Sequence, residues 1–132
     1  MVWDSLVLDS SAIVCIFMKE PGYQPLVEKI AAAKIILAAS PTLLETTMVL
    51  TSRLGPDGGA LLSDFLANIE ADVIPFSQNH LKVAIDAFLR YGRGRNPAAL
   101  NFGDCLSYAI ASVANMPLLF IGNDFSKTDI LQ

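Results

Sequence analysis

The sequence has few charged residues, and this shortage excludes several classes of protein. Charged residues make up 17% of the 132 residues, whereas 53% are hydrophobic. Such a composition is typical of a folded domain with a buried core and not of a disordered chain. No apolar run reaches the roughly 20 residues that span a bilayer. The first residues lack the basic stretch of a signal peptide, and Asp4 and Asp9 interrupt their apolar run. We therefore expect a single domain over residues 1–132, without a membrane segment and located in the cytoplasm.

Cysteine and histidine are also scarce. Cys15 and Cys105 are too few and too far apart for a disulfide framework or a zinc motif, so we expect buried free thiols. The single histidine, His80, excludes sites that need several histidine ligands. It also argues against a Ser-His-Asp hydrolase, because no nucleophile elbow accompanies it. The net charge of −4 is not typical of a nucleic-acid-binding protein, so the distribution of charge is more informative than its sum.

Short apolar runs alternate along the chain with longer stretches of helical spacing. The runs predict buried strands at residues 5–8, 35–39, 73–76 and 118–121. The helical spacing predicts helices at residues 12–18, 23–33, 40–54, 60–70, 77–91 and 101–115. In the fifth helix, Leu81, Ala84, Ile85 and Phe88 are expected to face inward. Residues 92–100 are expected to form a loop, and residues 122–132 a polar tail with a short last strand. This alternation predicts an α/β fold with a parallel sheet covered on both faces.

Four acidic residues lie just after predicted strands or in the first turns of predicted helices. Asp9 directly follows the first strand, Asp124 comes shortly after the fourth, and Glu45 and Asp104 lie in the first turns of helices. Open parallel sheets bind ligands at the carboxyl ends of their strands, so we expect all four at one edge. Glu45 and Asp104 are set among apolar residues, where a carboxylate without a partner is costly. A hard divalent cation such as Mg²⁺ is therefore the expected partner.

Each of these acids also has a purely structural interpretation. Asp9 is suited to cap the helix that follows it. Glu45 and Asp104 lie near helix N-termini, where the helix dipole favours acids in any protein. Asp124 also fits a turn. The convergence of all four on one predicted edge favours a metal site over these separate roles.

The order and spacing of five segments carry a family resemblance. The segments are residues 7–12 (VLDSSA), 41–46 (PTLLET), 91–95 (YGRGR), 100–109 (LNFGDCLSYA), and 118–125 (LLFIGNDF) with Thr128 and Asp129. Together they span essentially the whole chain, and they resemble the PIN-domain nucleases, within these the VapC-type toxins of bacterial toxin–antitoxin pairs. The resemblance implies a three-layer α/β fold, with a central parallel sheet of four or five strands flanked by helices.

The resemblance also implies an activity and a metal. The family's first three acidic positions fall on Asp9, Glu45 and Asp104, and such a site binds one or two Mg²⁺ or Mn²⁺ ions. The implied reaction is hydrolysis of RNA phosphodiester bonds. Asp9 and Asp104 would be direct ligands, whereas Glu45 and Asp124 would complete the shell, bind a second ion or orient the attacking water.

The fourth acidic position of the family can be assigned to either of two neighbouring residues. Related sequences carry an acid at the position of Asn123 or of Asp124. Asp124 is preferred, because the amide of Asn123 is a neutral ligand and is assigned a supporting role. Asp129 is a lesser candidate, expected to act in capping or structure. Ser11 either positions a metal-bound water or caps the first helix, and the cap is favoured.

Substrate binding and partners complete the expectations. Arg93 and Arg95 lie in the loop before Asp104, and their planar guanidinium groups suit phosphate. A solvated basic loop without this role is the alternative. The resemblance implies a VapB-like antitoxin that blocks the site, and a homodimer. Trp3 is expected in the core or at an interface.

Other functions fit some of the same residues. The metal site would equally serve a nuclease acting on DNA or a phosphatase. A non-catalytic PIN module that binds RNA or a protein partner is a further alternative, although all four acidic positions are occupied. A nucleotide-binding Rossmann domain lacks support, because no glycine-rich motif follows the first strand.

Overall fold

A parallel sheet forms the centre of the protein. The computed structural model describes residues 4–131, so Trp3 and its expected role lie outside the described residues. Within them, four strands form one sheet: β1 (Ser5–Leu8), β2 (Ile35–Ala39), β3 (Asp72–Ile74) and β4 (Leu118–Leu119). Their order across the sheet is β3-β2-β1-β4, and all pairs are parallel. Because β1 lies between β2 and β4, its carboxyl end opens onto the middle of one sheet edge.

Helices cover both faces of this sheet. Within residues 4–131 they are α1 (Ser10–Phe17), α2 (Tyr23–Ala32), α3 (Ser40–Leu54), α4 (Gly58–Asn68), α5 (Gln78–Tyr91) and α6 (Phe102–Ala114). Val7 of β1 packs in a core with Ala87 of α5 and Ala109 of α6. Its neighbours Leu6 and Leu8 pack in a second core, with α1 to α4. Successive strand residues point to opposite faces, and the predicted three-layer α/β fold is thus confirmed.

The sheet is smaller at its ends than the sequence predicts. β3 ends at Ile74, because Pro75 has no N–H to donate to a neighbouring strand. β4 ends at Leu119, and Gly122, with a φ of +102°, then turns the chain. The predicted last strand is not formed between residues 122 and 131, which adopt turns and bends. The sheet of the described chain therefore has the lower of the two strand numbers expected, four.

The prediction for the inner face of α5 is wrong for three of its four residues. Ala84 is buried as expected, but Leu81, Ile85 and Phe88 are each more than two-fifths exposed. The spacing of apolar residues shows that α5 has an apolar face, but it does not show which part of that face another element covers. Small residues on α5 let it approach α6 closely, and the large ones are left on an open groove shared with Leu44, Phe76 and Phe102. We call this surface the α5 groove.

Two further expectations concern the membrane and the cysteines. None of the helices in residues 4–131 is long and apolar enough to cross a membrane. Cys15 and Cys105 are both buried free thiols, as predicted.

Candidate metal centre

Asp9 follows β1 directly and is only 4% exposed. Its Oδ2 accepts a hydrogen bond from the backbone N–H of Ser11 at 3.1 Å, so Asp9 caps α1. Its Oδ1 accepts a hydrogen bond from the hydroxyl of Ser107 at 2.5 Å. The capping role and a ligand role are compatible, because each carboxylate oxygen carries more than one lone pair.

Asp104 reaches the same edge from the first turn of α6 and is 8% exposed. Its Oδ2 accepts a hydrogen bond from the backbone N–H of Asn101 at 3.0 Å, and the Asn101 side chain accepts one from the Asp104 N–H at 2.9 Å. This reciprocal capping box fixes the carboxylate on the helix end. Burial raises the pKa of Asp104 to about 7; the Asn101 hydrogen bond opposes this, and the nearby carboxylates of Asp124 and Asp9 raise the pKa further.

Asp124 and Glu45 reach the first turn of α6 from two other parts of the chain. Asp124 is exposed, and its side chain is within hydrogen-bonding reach of Asp104. Glu45 lies against the backbone of Gly103, where an added Cβ would be 2.6 Å from Glu45 Oε2. Glu45 therefore reaches the start of α6 only because residue 103 has no side chain.

The surroundings of Glu45 differ from the prediction. The sequence suggested a buried carboxylate, but Glu45 is half-buried and its neighbour Leu44 is 63% exposed. The reason is that this side of α3 borders the open α5 groove and is not covered by another element. The unfavourable burial that calls for a cation therefore falls on Asp9 and Asp104 more than on Glu45.

The chemistry of the site fits a hydrated divalent ion. Asp9, Asp104 and Asp124 lie near one another at one sheet edge, and Glu45 lies against the adjacent Gly103. All four offer carboxylate oxygens, which Mg²⁺ and Mn²⁺ prefer. Within residues 4–131, no three His, Cys, Asp or Glu side chains are placed so that they could hold an ion by themselves. Mg²⁺ usually keeps several waters and takes one or two carboxylates together with substrate phosphate. The donor set is therefore suited to such an ion.

Ser107 is a site residue that the sequence reasoning missed. It is 1% exposed and donates its hydroxyl hydrogen bond to Asp9. The available signal was its position three residues after Asp104, which places both on one face of α6. Because Ser107 holds one oxygen of Asp9, it orients the carboxylate at the end of β1.

Ser11 does not have the role that the sequence favoured. Asp9 caps α1, since an aspartate just before a helix places its oxygen over the second free N–H. The hydroxyl of Ser11 instead accepts a hydrogen bond from the backbone N–H of Ile121 at 3.1 Å. Ser11 thereby joins the start of α1 to the chain that leaves β4.

Asn123 and Asp129, the two other candidates for the fourth acidic position, differ in their contacts. Asn123 is exposed, and its backbone carbonyl oxygen accepts a hydrogen bond from the backbone N–H of Ser126 at 3.3 Å. Asp129 accepts a hydrogen bond from the hydroxyl of Tyr108. This contact is structural, as predicted for Asp129.

The loop before α6 keeps two arginines free of ion pairs. Arg93 and Arg95 are exposed, and in the described part of the chain neither pairs with an acid. The Arg95 guanidinium lies 5.3 Å from the centre of the Phe88 ring. Gly94 has a φ of +80°, and a Cβ at Gly92 would lie 2.4 Å from the Phe88 carbonyl oxygen. Both glycines are therefore required by the path of this loop.

Known proteins share this sequence and architecture. The PIN domain family profile matches residues 6–131. Ribonuclease VapC36 from Mycobacterium tuberculosis is 40% identical over 126 residues, covering 95% of this chain and 91% of that protein. VapC20 from Mycobacterium tuberculosis, described as a sarcin-ricin loop cleaving toxin, superposes with a TM-score of 0.76 at 14% identity over 96% of both chains. VapBC2 from Rickettsia felis, bound to a DNA fragment from its promoter, gives a TM-score of 0.76 at 19% identity over 97% of both chains.

The helix-flanked parallel sheet, the acids at its carboxyl edge and the family match together place the chain in the PIN-domain class. The chain belongs to the PIN-domain family, and within it to the VapC ribonucleases, which it matches over 95% of its length. The resemblance stated from the sequence is therefore confirmed. The two solved structures, at 14% and 19% identity, support the fold.

Proposed function

We propose that residues 1–132 form a single PIN domain that hydrolyses RNA phosphodiester bonds with Mg²⁺ or Mn²⁺. The observation that carries this proposal is the Asp104 carboxyl group placed beside Asp124 and Asp9. Burial raises its pKa most, and the two neighbouring carboxylates raise it further. Negative charge gathered in a poorly solvated place calls for a cation. The relatives named as ribonucleases give the substrate class.

The acids and the serine have separable tasks in this proposal. Asp9 and Asp104 would hold the ion, with Ser107 orienting Asp9 through its hydrogen bond. Asp124 and Glu45 would bind a second ion or accept a proton from the attacking water. When bound, the ion lowers the pKa of a coordinated water and neutralises charge on the phosphate oxygens.

The proposal is tested by incubating the purified protein with RNA, DNA and a chromogenic phosphate, each with Mg²⁺, with Mn²⁺ and with EDTA. We expect cleavage of RNA alone, and only with a divalent ion. Cleavage of DNA or of the chromogenic phosphate would favour the other hydrolases that the same site fits. No RNA cleavage with any divalent ion, despite RNA or partner binding, would favour a non-catalytic PIN module.

Replacing Gly103 with alanine should lower the rate of RNA cleavage while leaving the fold intact. The new Cβ would lie 2.6 Å from Glu45 Oε2, which forces the carboxylate away from the site. Because the position lies in the first turn of a helix, alanine itself is well tolerated there. We expect RNA cleavage to fall by at least about tenfold, measured as initial rate, with a melting temperature within a few degrees of the parent.

Gly59→Ala is the matched control for that change. Gly59 also lies in the first turn of a helix, and its added Cβ would meet the Thr47 side chain at an ordinary 3.4 Å. It should leave cleavage unchanged. Equal activity of Gly103→Ala and Gly59→Ala would remove Glu45 from the proposed site.

Arg93 and Arg95 are proposed to hold the RNA backbone. Both are exposed, and within residues 4–131 neither forms an ion pair that would compete with phosphate. Arg95→Ala should weaken RNA binding and reduce the slope of log affinity against log salt by about 0.7, the value for one single-strand phosphate contact. Arg53→Ala is the control, because Arg53 is paired with Glu20. If the salt slope is unchanged, Arg95 does not contact phosphate, and the alternative of a solvated basic loop is favoured.

A protein partner is proposed from the relatives. The Rickettsia felis structure contains the pair VapBC2, and we propose that a VapB-like antitoxin likewise binds this chain in the cytoplasm and blocks its acids. Co-expression with the protein of the neighbouring reading frame should yield a complex without RNA cleavage. A complex that retains full cleavage would contradict this role.

A homodimer is proposed on the α5 groove. The groove is lined almost entirely by apolar side chains, and Phe102 at its rim is 81% exposed. A two-fold interface presents the same patch twice, so the projecting ring of one copy can fill the groove of the other. Light scattering should give twice the chain mass, and Ile85→Glu the single mass. A monomeric parent protein would contradict the proposal.

A further inference from the structure

The tail that carries Asp124 has no helix or strand to hold it. Residues 122–131 form turns and bends after Gly122. One anchor is Phe125, which is 1% exposed and packs edge-on against Phe120 with ring centres 4.9 Å apart. Ile130 is a second buried residue near the end of this segment. The end of the segment is also bonded through the backbone, since the Leu118 N–H donates to the Leu131 carbonyl oxygen at 2.8 Å. Between Gly122 and that bond, the position of Asp124 depends on side-chain contacts made by its neighbours.

Asp129 supplies a polar anchor at the other end of the same segment. Its Oδ1 accepts a hydrogen bond from the hydroxyl of Tyr108, a residue of α6 that is 3% exposed. Its Oδ2 lies 3.7 Å from Nη2 of Arg90 in α5. Both oxygens of Asp129 are thus engaged with the helix pair that packs on one face of the sheet.

The two partners of Asp129 are themselves held in place. Arg90 donates a hydrogen bond to the hydroxyl of Tyr91 at 2.8 Å and lies 3.5 Å from Asp86. The rings of Tyr91 and Tyr108 are in contact, with centres 5.9 Å apart. Burial and the bond to Asp129 raise the pKa of Tyr108 well above its usual range, so its hydroxyl keeps its proton.

One helix connects this anchor to the acidic site. Tyr108 follows Asp104 by four residues, so both lie on one side of α6, a turn apart. The tail likewise contacts α6 at two places: Asp124 approaches Asp104, and Asp129 binds Tyr108. Two contacts between the same segments fix the tail in position along the helix, which a single contact would not.

We propose that Tyr108 and Asp129, with Arg90 as a weaker outer contact, form a positioning clamp that holds the tail along α6, so that Asp124 lies beside Asp104 and takes part in binding the ion. The clamp supports the metal site and does not bind the ion itself. This inference rests on the proposed function, because it assigns Asp129 a task in building that site. Asp129 is a positioning residue, since its carboxylate faces the tyrosine and the arginine.

The test compares Asp129→Ala and Tyr108→Phe with Asp129→Asn and with the control Asp86→Asn. Asp129→Asn keeps an oxygen that accepts from Tyr108 and loses only an exposed ion pair, which contributes little. Asp86→Asn removes the other acid beside Arg90 but leaves the tail untouched. Two quantities are measured on each full-length protein: amide hydrogen exchange at Ser126 and Thr128, and Mn²⁺ affinity from the paramagnetic resonance of free Mn²⁺.

We expect Asp129→Ala and Tyr108→Phe to speed exchange at Ser126 and Thr128, whose N–H groups bond within the tail. Both should weaken Mn²⁺ binding by about tenfold, the usual effect of losing a group that orients a ligand. Asp129→Asn and Asp86→Asn should show nearly the exchange rates and the Mn²⁺ affinity of the parent protein. In Asp129→Asn this is expected because the asparagine oxygen still accepts the hydrogen bond from Tyr108.

The outcomes separate this inference from the proposed function. If the parent binds Mn²⁺ and cleaves RNA, but Asp129→Ala changes neither exchange nor Mn²⁺ affinity, the clamp is refuted and the nuclease stands. Faster tail exchange with unaltered Mn²⁺ affinity also refutes it, because the tail would then be anchored without serving the site. If the parent neither binds Mn²⁺ nor cleaves RNA, the proposed function fails, and the clamp as a support for a metal site fails with it.

Discussion

Asp104→Asn should lower RNA cleavage by at least about 100-fold while the protein stays folded, on the scale seen when a group that stabilises transition-state charge is removed. The amide cannot supply the negative charge that holds a divalent ion. The fold should persist, because the asparagine oxygen can still accept the hydrogen bond from the Asn101 N–H. Burial already disfavours the charged form of Asp104, so a neutral side chain avoids the cost of burying that charge. Initial rates and melting temperatures measure the two effects.

Asp64→Asn is the matched control. Asp64 is an exposed residue of α4 without an ion pair among the described residues, so the same change of charge there should leave cleavage unaltered. Cleavage within about twofold of the parent in Asp104→Asn would mean that the acid is only a helix cap, the structural alternative that its capping box with Asn101 also supports.

Without divalent metal, the stability of the protein should fall as the pH rises from about 4 to about 7. The pKa of Asp104 is raised to about 7 by burial and by its neighbouring acids, while in the unfolded chain it is near 4. Between these values the folded state keeps the proton and the unfolded state has lost it, so stability decreases with pH. A difference of three pKa units corresponds to a loss of at most about 4 kcal/mol in the free energy of unfolding. The loss is complete once the pH exceeds 7.

Mn²⁺ should reverse that loss. The ion competes with the proton for the same carboxylate, so its stabilising effect should be small at pH 5 and larger at pH 8. At a hundred times the dissociation constant the gain is about 2.7 kcal/mol. Thermal unfolding in EDTA and in Mn²⁺ at both pH values measures it. Asp104→Asn should abolish both the pH dependence and the metal effect, whereas a metal effect of equal size at pH 5 and pH 8 would place the ion elsewhere.

The strands and the acids could be predicted because simple rules govern them. β1 and β2 are continuous apolar runs, and their bounds match the structure residue for residue. Asp9 could be placed at the carboxyl edge because it directly follows a strand. Asp104 does not follow a strand, but its helix leads into β4, and a helix that enters a parallel strand begins at the opposite, carboxyl edge. Neither rule needs a long-range contact to be known in advance.

The features that the sequence did not reveal depend on contacts between distant segments. The apolar face of α5 was recognised, but only the packing of Ala84 and Ala87 against α6 decides that Phe88 stays open. The bond from Ser107 to Asp9 joins residues 98 positions apart. The anchoring of Asp129 by Tyr108 depends on an irregular tail, for which no periodic pattern exists.

The acids on one sheet edge are proposed to form a divalent-metal site. Crystals grown with Mn²⁺ and measured at its absorption edge test this most directly, because the anomalous signal locates the ion itself. We predict a peak within coordination distance, about 2.0–2.6 Å, of the carboxylate oxygens of Asp9 or Asp104, with waters filling the remaining positions. If the protein cleaves RNA with Mn²⁺ but the anomalous peak in its crystals lies away from both residues, the metal site is not at this edge.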